Sequence, residues 1–508
     1  MAQLSLATVL AESARRRPAH PAIVCGDERV TYAELWAQTR GYAAALAERG
    51  VRPGDHVALM AANVPDFPRA YYAILSLGAV VVPIHLLLTA EEVAFVLRDS
   101  HARALVHGGG DPATAVKAAE LAGVPAVPLD PADPDSLAAA AARLAPRAGL
   151  VPTAPDDPAV VLYTSGTTGR PKGAVLTHFN LTMNATVNAF DDLGVRRDDV
   201  LLGCLPLFHS FGQTAAMNTA FRAAATLVLQ PRFDPVQALE LMVAHGVTAF
   251  LGVPTMYIAL LDAARRGAPR PSLRLCVSGG ASLPLSVLDE VAATFTTTVY
   301  EGYGLSETSP VATTNQPTFG ARPGTVGCPI WGVDVEVARA DREDHVELLP
   351  PGEVGEIVIR GHNVFAGYLG QPRATAEVLR DGWFRTGDLG TRDEAGFVTI
   401  VDRKKDLIIR GGFNVYPREV EEALLRHPAI GQVAVVGVPH PTHGEEVCAV
   451  IIPAAEVTAD EIIEWAREHV GRHKYPRRVE FVDEFPLGPS MKVLKRELRW
   501  RFAQDRTP

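Results

Sequence analysis

The chain has 508 residues, enough for about three domains or subdomains whose cores need no covalent staples. Its formal net charge of −10 and ordinary globular composition argue against a general binder of nucleic acid or anionic membrane. Five scattered cysteines, Cys25, Cys204, Cys276, Cys328 and Cys448, form no CxxC or Cys/His cluster. That argues against a disulfide framework or structural zinc and fits a reducing, cytoplasmic compartment.

The N-terminus lacks the basic-then-apolar order of a secretion signal. "TYAELWAQTRGYAAALAERG" (31–50) reads as an amphipathic helix closed by Gly50, and "HVALM" and "AVVVPI" read as buried strands. The apolar run at 73–90 is long enough to span a membrane on paper. Gly78, Pro83 and His85 make it a buried helix passing into a buried strand instead. Repeated strand–helix alternation predicts parallel sheets with helices on both faces. Residues 132–158, rich in Ala, Pro and Asp, read as a surface helix and a loop.

That loop leads into "YTSGTTGRPKGA" (163–174). A buried strand precedes it. Gly166 and Gly169 let the backbone turn tightly, Thr164, Ser165, Thr167 and Thr168 add hydroxyl donors, and Lys172 adds a full positive charge. Such a concentration of N–H and O–H donors is an anion nest, and its natural guest is a triphosphate. The Walker spacing GxxxxGK[ST] is absent.

Alternation resumes over 175–310, with strands at "LVLQ", "AFLGVP" and "LRLCVSGG". From 321 to 400 short strands between Gly and acidic turns predict a small β-rich subdomain. The last hundred residues return to mixed α and β. The fold expected is α/β: a large N-terminal domain (1–401) with two parallel-type α/β subdomains plus the β-rich one, and a smaller mobile α+β domain (402–508).

Seven further runs follow the first in order: "LPLFHSFG" (205–212), "SGGASLP" (278–284), "EGYGLSET" (301–308), "GEIVIRGHNVFAGYL" (355–369), "FRTGDLG" (384–390), "DRKKDLIIRGGFNVYPREVE" (402–421) and "PSMKVLKREL" (489–498). Together they resemble the adenylate-forming superfamily of acyl-CoA synthetases, luciferases and nonribosomal-peptide adenylation domains, over nearly the whole chain. The resemblance implies adenylation of a carboxylate by ATP, then passage of the acyl group to a thiol.

It also implies roles. Glu307 is matched to the Mg²⁺ ligand, with Thr164 contributing its hydroxyl, and Ser306 contacts a phosphate. Gly302 and Tyr303 line the adenine site, completed by Gly280, Ala281 and Glu301. Asp388 binds the ribose, and Arg403 reaches the same nucleotide. His209 is a gate between nucleotide and acid, with Phe211, Ala215 and Gly304 on the acyl side. Lys492 is the catalytic lysine of adenylation; Met491 stands where many relatives carry Gly. Asp402 is the hinge on which the C-terminal domain swings, bringing Gly411 and Gly412 over the site as a passage for the pantetheine arm.

The acid is not named by this chemistry. No buried acidic residue in "LFHSFGQ" suits an amino-acid substrate, and Arg222 is too far along its helix to serve a dicarboxylate. Apolar and small residues in "FHSFGQTAAM" and "GVPTMYIAL" favour a fatty or an aryl acid, the fatty acid first. CoA is the expected acceptor, an acyl carrier protein the alternative, and a non-enzymatic nucleotide sensor the third reading. An oligomer is left open.

Overall fold

A computed structural model describes residues 2–164, 170–488 and 493–503. The chain forms two compact units, Met1–Val335 with Ile359–Phe384, and Glu336–Val358 with Arg385–Pro508. Among the described residues no helix is long and apolar enough to cross a membrane. Residues 73–90 split as expected between the helix Asp66–Ser76 and the strand Val80–Pro83.

Among the described residues, the first unit carries a seven-stranded and a nine-stranded sheet. In the seven-stranded sheet, Pro158–Thr164, Val80–Pro83, His56–Ala61, Ala104–Gly108 and Ala126–Pro128 run parallel. Lys172–Thr177 pairs antiparallel with Pro158–Thr164, and Gly367–Tyr368 with Lys172–Thr177. The nine-stranded sheet has a parallel centre that includes Thr226–Leu229, Val200–Gly203, Ala249–Gly252, Leu275–Gly279 and Val299–Gly304. Its edges are antiparallel. Strands covered by helices on both faces must be apolar throughout, which is why "HVALMA" and "VVVP" are nearly all buried.

Local chemistry sets the helix starts. Thr31 and Glu34, and Thr89 and Glu92, form reciprocal capping boxes on Tyr32–Glu48 and Ala90–Asp99. Thr177 ends the strand Lys172–Thr177 and caps the helix His178–Val187, so chain leaving the phosphate-loop hairpin enters a helix at once.

His178 is fully buried, and its Nδ1 accepts a hydrogen bond from the Leu6 amide at 3.0 Å. Burial pushes its pKa down to about 4 from the usual 6.5. The unfolded chain therefore takes up a proton near pH 6.5 that the folded chain refuses until about pH 4. Stability should fall as pH drops through that window, by about 3 kcal/mol in total at this site. Urea unfolding between pH 7 and 4 should show this slope flattened in His178→Gln; an unchanged slope would assign the acid sensitivity elsewhere.

In the second unit the strands Phe413–Val415, Ile408–Arg410, Gly444–Pro453 and Ile430–His440 form a sheet, with Arg478–Phe481 parallel to Gly444–Pro453. Helices Pro417–Leu424 and Ala459–His469 contribute Val420, Leu424, Ile462 and Ala466 to its core. The expected boundary at 401/402 falls inside this unit. The reason is strand pairing: Val398–Arg403 lies antiparallel to Trp383–Arg392, with Asp388 opposite Arg403 and Leu389 opposite Asp402.

Candidate active site

The hairpin that frames residues 165–171 is closed by the pairing of Thr164 with Lys172. Thr164 Oγ1 lies 3.5 Å from the Lys172 carbonyl oxygen. Gly173 follows because a Cβ there would sit 2.8 Å from Val161 Cγ1 and 3.2 Å from the Tyr163 ring. The expected donors Ser165, Gly166, Thr167, Thr168 and Gly169 lie outside the described residues. At the exit, Lys172 Nζ stands 5.1 Å from the centre of the Tyr368 ring, within cation–π range.

Tyr368 is the link that sequence reasoning missed. Its hydroxyl donates to Glu307 Oε1 at 3.0 Å, and the Phe365 amide donates to the Glu307 carbonyl at 2.9 Å. Burial first, and the Glu307 charge second, push the phenol's pKa well up, so it stays a donor. Three motifs far apart in sequence therefore converge: lysine, phenol and buried carboxylate stand in a row. The signal was present in "GEIVIRGHNVFAGYL", but only the pairing of Gly367–Tyr368 with Lys172–Thr177 gives the tyrosine its place. Tyr368→Phe should raise the KM for ATP several-fold and leave the fold intact, since the ring and its packing on Phe365 are kept; initial-rate kinetics with unchanged ATP dependence would remove Tyr368 from the site.

The wall expected to hold the base is built from two neighbouring parallel strands. Gly279 pairs with Gly302 and Ser278 with Glu301. Gly280 has φ +82°, a left-handed turn that suits only glycine, and Ala281 is exposed beyond it. Glu301 is buried, and its Oε1 accepts from the Leu283 amide at 3.1 Å, so this carboxylate braces the 280–283 turn. Tyr303 and Ser306 are half-buried. Gly304 lies so close to the following turn that a Cβ would come 1.7 Å from the Pro310 carbonyl oxygen.

On the expected acyl side, His209 precedes the π-helix Phe211–Asn218. Such helices are rare and recur at functional sites. His209 Nδ1 accepts from the Phe211 amide at 3.3 Å, which leaves the ring proton of the neutral imidazole on Nε2. Gly212 is required because a Cβ would meet the Pro206 carbonyl oxygen at 2.3 Å. Tyr71 donates to Gln213 and Tyr72 to Asn218, fixing the helix from behind. The Phe211 ring lies against Gly279, where a Cβ would sit 3.2 Å from Phe211 Cζ. The base wall and the acyl side thus meet at Phe211. Ala215 is buried in the same helix. Arg222, set aside above, is tied to Thr186 Oγ1 at 3.0 Å and stacks on Phe190.

In the second unit Asp388 is buried, with Arg403 Nε 3.2 Å from its Oδ1. Glu356 braces the turn before it: its Oε1 accepts from the Gly387 amide, and Arg385 donates to its Oε2. Asp402 is buried and accepts from the amides of Arg403 (2.7 Å) and Arg418 (3.0 Å), the latter in the first turn of Pro417–Leu424. Burial raises its pKa, offset in part by Lys495. Lys495 itself stands 2.6 Å from Glu421. Burial works against its charge, but Glu421 and Asp402 outweigh that and raise its pKa. Lys492 lies outside the described residues; its flanks Leu487 and Val493 pair as an antiparallel bridge.

Gly411 and Gly412, with φ +58° and +84°, form the two-residue turn between Ile408–Arg410 and Phe413–Val415. Two successive left-handed residues are what such a hairpin turn demands. Nearby, Arg410 is ion-paired to Glu446 and Lys404 to Glu343.

The family of AMP-binding enzymes matches residues 10–369, and its C-terminal domain matches 419–492. The chain belongs to that family. It is an AMP-forming acid–thiol ligase of the acyl-CoA ligase type. A feruloyl-CoA synthase of an Amycolatopsis species is 39% identical over 500 residues, covering 96% of this chain and 97% of the relative. A long-chain-fatty-acid–CoA ligase of Bacillus subtilis is 36% identical over 528 residues, covering 97% and 94%. ATP-bound MatB from Rhodopseudomonas palustris superposes with a TM-score of 0.90 at 34% identity, covering 98% of this chain and 99% of that one.

Proposed function

We propose that this AMP-forming ligase joins an apolar carboxylic acid, a fatty acid in the first reading, to the thiol of coenzyme A. The acid's carboxylate oxygen attacks the α-phosphorus of ATP, and pyrophosphate leaves. The thiol sulfur, its proton released to solvent, then attacks the acyl carbon, and AMP leaves with the electron pair. The row Lys172, Tyr368 and Glu307 carries the reading, because it sets a cation and a buried carboxylate at the mouth of a donor-rich loop.

The donors there fit Mg²⁺, a hard ion that takes one or two carboxylates and keeps its remaining positions for water and phosphate oxygens. Glu307 is a buried carboxylate aligned by a phenol, and Thr164 ends the neighbouring strand. These two would hold the ion, which when bound neutralises phosphate charge during adenylation. Lys172 and the 164–169 segment take the phosphates, with Ser306. Gly280, Ala281, Glu301, Gly302 and Tyr303 take adenine, and Asp388 and Arg403 take ribose. Lys492 bridges the acid's carboxylate and the α-phosphate. His209, Phe211, Ala215 and Gly304 face the acid. Asp402 is the hinge between 1–401 and 402–508, and Gly411 and Gly412 border the thiol path.

An aryl acid is the second reading, favoured by the higher identity to a feruloyl-CoA synthase and by the aromatic Phe211 on the expected acyl side. Pyrophosphate release over alkyl acids of graded length and hydroxylated or plain aryl acids decides between them. A kcat/KM at least tenfold higher for alkyl acids supports the first reading; the reverse supports the second; no acid-dependent release from either series contradicts both. The same assay with CoA and a holo-carrier protein as competing acceptors should yield the CoA thioester.

A further inference from the structure

The sequence holds no CxxC or Cys/His cluster. Folding brings together a different set, carried by "HPTHGEE" (440–446). His440 is the last residue of Ile430–His440, His443 lies in the turn, and Glu446 is the third residue of Gly444–Pro453. The register explains the meeting. Val438 pairs with Glu446 and His440 with Gly444, and steps of two keep the same sheet face, so His440 and Glu446 share one side. Gly444 opposes His440 with no side chain, which opens the diagonal between them. A ring nitrogen of each histidine and a carboxylate oxygen of Glu446 all lie within 4.8 Å of one another. The two rings are stacked, centroids 4.6 Å apart.

We propose that His440, His443 and Glu446 bind a divalent transition-metal ion of the zinc type on this hairpin. Two imidazoles and one carboxylate form a three-ligand set that leaves a fourth tetrahedral position open. Imidazole selects zinc, nickel or copper over magnesium and calcium. Outer partners are in place. His440 Nδ1 accepts from the Thr442 amide at 3.3 Å and the His443 amide at 3.2 Å, with Thr442 Oγ1 also 3.3 Å away, so the turn itself fixes this ring and turns Nε2 toward the cluster. Glu446 Oε1 is held by Arg410 Nε and the Val447 amide, so the carboxylate is oriented before the ion arrives. Zinc–nitrogen bonds of about 2.0 Å place tetrahedral donors about 3.3 Å apart. The exposed His443 ring supplies that closure by rotating inward. The neighbouring Arg410 charge opposes the ion, which sets the expected affinity at micromolar rather than at the strength of a closed four-ligand site.

The ion has a mechanical consequence that rests on the thiol-path reading above. The Gly411 amide donates to the His443 carbonyl at 2.8 Å, and Gly411 faces the His443 ring, so metal on His443 stiffens the turn assigned to the thiol path.

Zinc titrated into the full-length protein against a chromophoric chelator should show one equivalent bound with micromolar or tighter affinity. His440→Ala and His443→Ala should each weaken it at least tenfold, and excess Mg²⁺ should not displace it. His443 is exposed, so His443→Ala should melt with the native protein when metal is absent, which separates lost ligation from lost fold. Failure to bind one equivalent, or native affinity retained in both variants, overturns the site. Zinc should also slow acyl transfer from supplied acyl-adenylate to CoA in the native protein and not in His443→Ala, while sparing pyrophosphate exchange. A zinc-loaded enzyme with unimpaired transfer would contradict the coupling to Gly411 and leave the ion site standing.

Discussion

Replacing Lys492 with alanine should lower acid-dependent ATP–pyrophosphate exchange by about 10²–10³-fold, the usual cost of removing one group that meets charge as it develops in the transition state. Thioester formation from supplied acyl-adenylate should stay within a few-fold of the native rate. The fold should not register the change. The base of the loop is closed independently by the bridge of Leu487 with Val493 and by the Leu494 amide donating to the Pro486 carbonyl at 2.8 Å. Just beyond it, Lys495 is anchored on Glu421. Equal loss of both half-reactions would contradict the role given to Lys492.

Gly412→Leu should do the opposite, lowering transfer to CoA by about 10²-fold with pyrophosphate exchange retained. Two causes must be separated. At φ +84° any L-side chain is strained, by about 1–2 kcal/mol. A Cβ there meets nothing within 4 Å, so the leucine projects into open space and does not disrupt packing. Gly412→Asn carries nearly the same backbone demand with a residue that tolerates the left-handed region, and it is the control for strain. If asparagine and leucine reduce transfer equally, the turn geometry matters and a thiol passage at Gly412 is not needed. If leucine leaves transfer intact, the passage is elsewhere.

Much of the architecture was legible because its signals are local. Continuous apolar runs such as "HVALM" mark strands covered on both faces, and the amphipathic pattern of 31–50 marks the helix Tyr32–Glu48. The site was legible in its parts but not in its joints. Glu307 and Lys172 stand out as residue types, yet their link through Tyr368 depends on a two-residue strand pairing across the sheet from a distant segment. Glu301 reads as a base-pocket residue, while its buried oxygen holds the Leu283 amide. Gly411 and Gly412 read as a passage, and they also meet the backbone demand of a two-residue hairpin turn. Asp402 reads as a hinge residue from its position alone; its burial and its bonds to the Arg403 and Arg418 amides appear only in the fold. The histidines of "HPTHGEE" carry no recognisable spacing until the hairpin register brings Glu446 beside them.

The central claim is that the hairpin closed by Thr164 and Lys172, with Glu307 beside it through Tyr368, receives the triphosphate. A crystal structure with a non-hydrolysable ATP analogue and Mg²⁺ measures this directly. The account predicts phosphate oxygens against residues 164–172 and the ion on Glu307; a nucleotide lodged away from that hairpin, with Glu307 distant from any phosphate, would contradict it.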